Sequence, residues 1–244
     1  MLHPFTISFI IPVFNNAQTL LKLEALLLQL CLQQQWTGEI IFVDDCSTDQ
    51  SLNILTQLSS SATIIHFNKN LGQSTALLTG MQYAKGDVLV AMDADLQDRP
   101  DFIPTLVYHL NDTTDVAFSG RTGAYEQQSR LATAKIFKFL LHILSRKKLP
   151  ANACLFFAIK QSAAQKITPY VGDNPYLLAT IAKEKLRCTS VPYIREKNTS
   201  GQSGYTFKKR LKVGIKGITN FFFLQKKSLP TGYIEVIQRS NIIP

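Results

Sequence analysis

The sequence predicts an α/β fold with a Rossmann-like, doubly wound and mostly parallel sheet. Apolar runs of about five residues alternate with helical patterns of ten or more, the rhythm of strands joined by crossover helices. Most of these runs are continuously apolar, as in strands buried on both faces of a sheet. No repeat or low-complexity linker interrupts them. We therefore expect one large α/β domain, residues 1–200, followed by a distinct tail, residues 201–244.

The first half of the chain carries the clearest alternation. The predicted strands are Ile7–Val13, Glu39–Val43, Thr63–Phe67, Val88–Met92 and Asp115–Ser119. The predicted helices run from Ala17 to about Gln33, from the capping-box pattern Ser47–Gln50 to Leu58, from Asn70 to about Tyr83, and from Pro100 to Leu110. Gly38 is expected to end the first helix.

The second half is less regular. We expect a helix from Ser129 to about Leu144, a strand over Leu155–Lys160, a helix from Asn174 to about Leu186 and a strand over Thr189–Tyr193. From Thr206 to about Leu224 an apolar stripe (Phe207, Leu211, Ile215, Ile218, Phe222) lies beside a lysine stripe (Lys208, Lys212, Lys216). This pattern predicts a basic amphipathic helix, either on an anionic membrane surface or docked on the protein's own core.

Charge and composition narrow the function classes. Net charge is +9, and residues 195–244 hold ten basic and two acidic residues, so the basicity belongs to the tail. The tail lacks aromatic residues arranged for base stacking, which argues against nucleic-acid binding. There is no apolar run of eighteen residues and no leader pattern, and the four cysteines follow no metal-ligand spacing. We expect a reduced, cytoplasmic protein that lies peripherally on the inner face of the cell membrane.

Polar clusters follow three of the predicted strands. They are Phe14–Asn16, Asp44–Asp45 and Asp93–Asp98. The carboxyl ends of central strands in a doubly wound sheet meet in one crevice, so the three clusters are expected to face one ligand. The acidic third cluster suits a hard divalent cation that also holds substrate phosphates. The alternative is that one or two of these acids cap helices and the rest are solvated.

Two common nucleotide motifs are missing. Neither G-x-G-x-x-G nor G-x-x-x-x-G-K-[ST] follows any strand, which disfavours a dinucleotide oxidoreductase and a P-loop NTPase. A site with acids and a metal, but without a backbone phosphate cradle, fits a diphosphate whose charge the cation neutralises.

The motifs resemble those of family 2 glycosyltransferases of the GT-A fold, and within them the dolichol- and undecaprenyl-phosphate sugar transferases. The resemblance rests on Ile10–Asn15, Val43–Asp49, Asn70–Gly72, Met92–Asp98 and the Ser200–Lys208 segment, and covers about 220 residues. It implies a metal-dependent, inverting enzyme that moves a sugar from a nucleotide-diphosphate sugar to a polyprenyl phosphate. A soluble saccharide acceptor, or a degenerate non-catalytic binding module, are the alternatives.

The resemblance also implies roles for individual residues. Asp95 and Arg121 would be catalytic, and Asp93, Asp95 and Gln97 would bind Mg or Mn. The nucleotide-sugar site would comprise Pro12, Val13, Phe14, Asn16, Asp44, Asp45, Gln73, Asp93, Arg195 and Ser203. Three positions depart from the family pattern: Asn16 replaces an acid, Cys46 a glycine and Gln73 a basic residue. The sugar, the nucleotide and the oligomeric state, a homo-oligomer included, stay open.

Overall fold

The computed structural model describes residues 5–58, 62–121, 142–145, 148–172, 175–193, 219, 221–229 and 232–238. The strands are β1 (Thr6–Val13), β2 (Thr37–Asp44), β3 (Thr63–Phe67), β4 (Val88–Ala91), β5 (Val116–Arg121), β6 (Phe157–Lys160), β7 (Cys188–Tyr193) and β8 (Ile234–Gln238). The α-helices are α1 (Leu20–Gln34), α2 (Ser51–Thr56), α3 (Gln73–Tyr83), α4 (Ile103–Tyr108), α5 (Gln161–Ile167) and α6 (Leu177–Lys183). Short 3-10 helices span Pro100–Phe102 and Thr168–Tyr170.

The strands form one mixed sheet in the order β7-β5-β6-β4-β1-β2-β3-β8. The central run β4, β1, β2 and β3 is parallel, and β7 is parallel to β5. Strands β6 and β8 are antiparallel to their neighbours. The strand order reverses beside β1, so β1 and β4 flank the position where open α/β sheets bind ligands.

Two apolar layers cover the sheet, one on each face. Helix α1 packs with Phe9 and Ile11 of β1 in one buried cluster. Helices α3, α5 and α6 pack with Ile10 of β1 in the other. Neighbouring residues of β1 thus face opposite layers, which explains why this strand is apolar throughout.

Helix α3 lies unusually close to the sheet at Gly80. A Cβ atom added there would lie 2.5 Å from Cγ2 of Ile10 and 3.1 Å from Cγ2 of Val43. Only a residue without a side chain allows this approach. The contact fixes the height of α3 above β1 and β2, and therefore the position of the residues at its start.

The predicted boundaries of the first two helices were partly wrong. Helix α1 begins at Leu20 and ends before Gln35, whose φ of 55° terminates it. Gly38 lies inside β2, where an added Cβ would be 2.8 Å from Ile7. The capping box at Ser47 does not form, because α2 begins at Ser51 and the side chains of Ser47 and Asp49 bind the β1–α1 loop instead.

The other elements match the predictions in part. Helix α5 and strand β8 were not predicted, and most of the predicted helix Ser129–Leu144 lies outside the described residues, which show 142–144 as helical. Of the predicted tail helix, only 219 and 221–223 are described as helical. No helix within the described ranges is long and apolar enough to cross a membrane.

Gly80→Ala is expected to destabilise the protein by about 1–3 kcal/mol through overpacking against Ile10. At an unhindered helix position the same change would stabilise by about 1 kcal/mol. Urea unfolding of the two proteins measures the sign. Gly80→Ser should cost at least as much as Gly80→Ala, and a gain of stability in Gly80→Ala would contradict the close packing.

Candidate active site

The carboxyl ends of β1 and β2 are joined directly. The backbone N–H of Asp45 donates to the carbonyl of Val13 at 2.8 Å, and Val13 lies opposite Asp44 in the register. Pro12 and Val13 are buried in the strand, whereas the Phe14 ring is 48% exposed just beyond it. The predicted residues of the first two clusters therefore lie side by side at one edge of the sheet.

The β1–α1 loop is held by the chain that follows β2. The Asn15 side-chain oxygen accepts from the N–H groups of Thr48 (2.8 Å) and Asp49 (3.3 Å). Asn16 closes its own turn, because its Oδ1 accepts from the N–H of Phe14 at 3.0 Å. The Asn16 N–H donates to Oγ of Ser51 at 2.8 Å. Asn16 thus shapes the loop through neutral hydrogen bonds.

Asp44 is completely buried at the end of β2. Its Oδ2 accepts from Nδ1 of His66 at 2.8 Å and from the N–H of Ser47 at 3.2 Å. Its Oδ1 has no hydrogen-bond partner among the described residues. Leaving a buried carboxylate oxygen unpaired is costly, so this oxygen is suited to a donor group that a ligand brings.

Asp45 is occupied by the backbone. Its two oxygens accept from the N–H groups of Leu71 (2.6 Å) and Gly72 (2.8 Å), directly before α3. Burial raises the pKa of the Asp45 carboxyl, although these two N–H bonds oppose the rise, and the neighbouring Asp44 raises it further. The arrangement shows that Asp45 holds the start of α3, while its predicted role in nucleotide-sugar binding stays a prediction.

The third cluster follows β4 and is tied to α3. The Gln73 amide, in the first turn of α3, donates to Oδ1 of Asp93. Oδ1 of Asp95 accepts from the N–H of Gln97 at 3.0 Å, and Leu96 between them has φ 58°. Asp93, Asp95 and Gln97 are each partly exposed, and Asp98 is buried. The structure therefore brings the predicted metal residues to the same edge as Asp44.

A left-handed residue follows each of the three strands. Asn15, Cys46 and Leu96 have φ values of 57°, 62° and 58°. This conformation costs a residue with a side chain about 1–2 kcal/mol, and such strain tends to persist at functional sites. The family that the sequence resembles usually has glycine where this chain has Cys46. Glycine adopts the left-handed conformation of this position without strain.

The acidic residues fit a divalent cation only together with ligand oxygens. Within the part of the chain that is described, no group of three or more acidic, histidine or cysteine side chains could hold a metal ion. Asp93 and Asp95 supply two partly exposed carboxylates two residues apart. Mg²⁺ is commonly bound by one or two carboxylates with phosphate oxygens and water, so this donor set fits such an ion beside a diphosphate.

Several predicted residues cannot be placed. Arg121 is the last residue of β5, but its side chain is not among the described ones. Arg195 and Ser203 lie outside the described residues. Beside Arg121, an added Cβ at Gly120 would lie 2.1 Å from Oγ of Ser190 and 2.3 Å from Nδ2 of Asn152. Gly120 thus lets three segments meet at this end of β5.

The sequence prediction missed the contributions of Asn15, Ser47 and His66. His66 carries a readable signal, because it is the fourth residue of β3 and pairs in register with Asp44 of β2. Register partners on neighbouring strands place their side chains on the same face. The alignment of two adjacent strands, rather than a local motif, would have revealed it.

Comparison with known proteins decides the family. The model described as Glycosyl transferase family 2 matches residues 8–168, which include all three strand-end clusters. The chain belongs to glycosyl transferase family 2. The predicted family and enzyme class, a glycosyltransferase, are confirmed.

Curated relatives carry names from this class. The uncharacterized glycosyltransferase YkcC of Bacillus subtilis (strain 168) is 28% identical over 218 residues, 88% of this chain and 68% of that protein. The undecaprenyl-phosphate 4-deoxy-4-formamido-L-arabinose transferase of Pectobacterium atrosepticum is 29% identical over 210 residues, 83% of this chain and 63% of that protein. The glycosyltransferase thus spans roughly two thirds of the length of these relatives.

Solved structures confirm the GT-A fold. Mannosyl-3-phosphoglycerate synthase from Rubrobacter xylanophilus matches with a TM-score of 0.64 and 13% identity, covering 98% of this chain and 88% of that one. Glucosyl-3-phosphoglycerate synthase from Mycobacterium tuberculosis, in complex with Mn²⁺ and UDP-glucose, matches with a TM-score of 0.63 and 14% identity, covering 98% and 89%.

Cys46→Gly is expected to stabilise the glycosyltransferase by about 0.5–1 kcal/mol, because relief of the left-handed strain exceeds the extra entropy of glycine in the unfolded chain. Chemical denaturation measures the change. Cys46→Ala removes the thiol but keeps Cβ, so it should give no gain. An equal gain in both variants would mean that the thiol, rather than the backbone, is the source.

Proposed function

We propose that the chain transfers a sugar from a nucleoside-diphosphate sugar to a polyprenyl phosphate at the cytoplasmic face of the cell membrane, with inversion at the anomeric carbon. The observation that carries the proposal is the convergence of Asp44, Asp93 and Asp95 at one edge of the sheet. At this edge Asp44 would accept a hydrogen bond from the nucleobase. Asp93 and Asp95 would provide the two carboxylates that hold the cation. The undecaprenyl-phosphate acceptor in the relatives' names supports the choice of acceptor.

The acceptor chemistry suits the residues present. A sugar hydroxyl needs a general base before it can attack, whereas a phosphate monoester is largely dianionic at neutral pH. An acceptor phosphate oxygen attacks the anomeric carbon from the face opposite the leaving group. The bond from that carbon to the diphosphate oxygen breaks, and the nucleoside diphosphate leaves with the electron pair.

The donor would lie across the three strand ends. The exposed Phe14 ring would cover the base, and Asp44 would accept one of its N–H groups. Mg or Mn, held by Asp93, Asp95 and Gln97, would neutralise charge on the leaving diphosphate. The Gln73 amide, which donates to Asp93, would keep that carboxylate turned toward the site. Arg121, Arg195 and Ser203 remain proposed contacts of the phosphates.

Asp95→Asn is expected to lower transfer at least about 100-fold, because it removes one of two carboxylates proposed to hold the cation. The assay is mass-detected transfer to undecaprenyl phosphate with a panel of nucleotide sugars. Chelation with EDTA should abolish wild-type transfer, and added Mn²⁺ should restore it.

Asp101→Asn is the matched control for Asp95→Asn. Asp101 is exposed near the same loop and bonds to Arg99, so its loss should leave transfer within about twofold. Wild-type rates in Asp95→Asn, with melting temperatures unchanged, would reject the proposed metal role. Transfer to a soluble saccharide without lipid would favour the alternative acceptor.

Residues 222–227 of the tail support attachment to a membrane surface. Phe222 and Phe223 are 55% and 77% exposed, and the exposed Lys226 and Lys227 follow them. The Lys183 ammonium donates to the carbonyl of Leu224 at 2.7 Å, which ties this segment to α6. Exposed aromatic rings beside lysines match the chemistry of an anionic lipid surface.

Phe222→Ser with Phe223→Ser is expected to weaken binding to vesicles containing anionic lipid at least about tenfold, because two rings no longer enter the interface. Vesicle co-sedimentation measures this. Leu32→Ser is the control, because Leu32 is 76% exposed on α1, which covers the other face of the sheet from Phe221. Equal losses in both proteins would contradict a surface confined to the tail.

A further inference from the structure

We propose that His66 is a positioning residue of the base pocket, which restricts Asp44 to a single donor group of the nucleobase. The inference rests on the proposed function, since it assumes that Asp44 receives the base of a nucleotide sugar. It goes further by naming the class of base. A base with one N–H donor between two carbonyl groups is selected over a base with two adjacent donors.

The geometry defines which oxygen of Asp44 is already used. Because an ionised carboxylate can only accept hydrogen bonds, Nδ1 of His66 carries the proton and donates to Oδ2. The N–H of Ser47 donates to the same oxygen at 3.2 Å. Within the described residues, Oδ1 is the oxygen left for a ligand. Because Oδ1 is buried, a base can reach it only after the atoms that cover it move.

The imidazole is fixed by the strands around it. His66 lies on β3 between Asp44 of β2 and Glu235 of β8 in the register. Beyond β3, the Asn68 backbone N–H donates to the carbonyl of Tyr233 at 3.3 Å, and its side-chain amide donates to Gly232 at 2.6 Å. The His66 side chain is only 21% exposed. Strand β8, which lies outside the matched family region, therefore helps to hold the group that orients Asp44.

The hydrogen-bonding edges of the bases translate this geometry into selectivity. Guanine presents two adjacent donors, N1–H and the 2-amino group, which match a carboxylate with both oxygens available. Uracil and thymine present one donor, N3–H, which a single oxygen can accept. Adenine and cytosine would turn an acceptor ring nitrogen toward the carboxylate. An Asp44 with Oδ2 occupied therefore favours uridine and thymidine nucleotides.

The test is calorimetric titration of the full chain with UDP, dTDP, CDP and GDP in the presence of Mn²⁺. The wild type is expected to bind UDP or dTDP at least about tenfold more tightly than GDP. His66→Leu should reduce this ratio about tenfold, because Oδ2 then keeps only the longer bond from Ser47 and can accept a second donor from the base. The ratio is the informative readout, since a purely structural loss would weaken all four nucleotides together.

Two variants serve as controls. His66→Asn places an amide N–H near the position of Nδ1, so it should retain most of the selectivity. His109→Leu removes a partly exposed histidine directly after α4 whose Nδ1 contacts the carbonyl of Thr105, far from Asp44 in the sheet order, so it should change nothing. If His66→Leu fails to fold, His66→Thr carries the same expectation, because its hydroxyl is too short to reach Oδ2.

The outcomes separate this inference from the proposed function. An unchanged ratio in a folded His66→Leu protein overturns the role of His66. A wild type that prefers GDP overturns the base selectivity, while transfer from a GDP-sugar to undecaprenyl phosphate would leave the proposed function intact. Absence of binding by all four diphosphates overturns both.

Discussion

The active-site edge depends on how one buried carboxylate, that of Asp45, binds the backbone at the start of α3. Its two oxygens hold the N–H groups of Leu71 and Gly72, and its own N–H is held by Val13. Helix α3 then carries Gln73 to Asp93. Because Gly80 sets the height of that helix, strand ends from β1, β2 and β4 keep a fixed relation before any ligand arrives. Of the two adjacent aspartates, Asp45 thus holds the start of α3, whereas Asp44 is the one proposed to bind the nucleotide.

Several unfavourable features lie where the ligand is proposed to bind, although the left-handed residues Gln35 and Lys185 lie elsewhere, after helices α1 and α6. The left-handed residues Asn15, Cys46 and Leu96 follow the three strands, and Asp44 keeps one oxygen unpaired within the described residues. Each costs stability in the folded chain, while the apolar layers on both faces of the sheet supply the compensating burial. The apolar layers therefore supply the stability, whereas the proposed ligand site lies at a strained edge of the sheet.

The sequence predicted the fold and the meeting of three polar clusters because continuous apolar runs and strand-end carboxylates are local patterns. It predicted less where a residue acts through a distant partner. Ser47 reads as a helix cap, yet its hydroxyl accepts from Asn15 on another strand end. His66 has no motif around it, and its meaning comes from the register of β3 against β2. Strand β8 was missed because its partner, β3, is remote in sequence.

The pairing of β3 with β8 has a consequence for biosynthesis. Phe67 pairs with Ile234, so the backbone edge of β3 stays unpaired during synthesis until the ribosome has also made the segment up to β8. Unpaired strand edges are sites of intermolecular pairing, and long-range partners are slow to arrive. Nascent chains stalled before β8 would therefore be the species most exposed to aggregation and most dependent on chaperones.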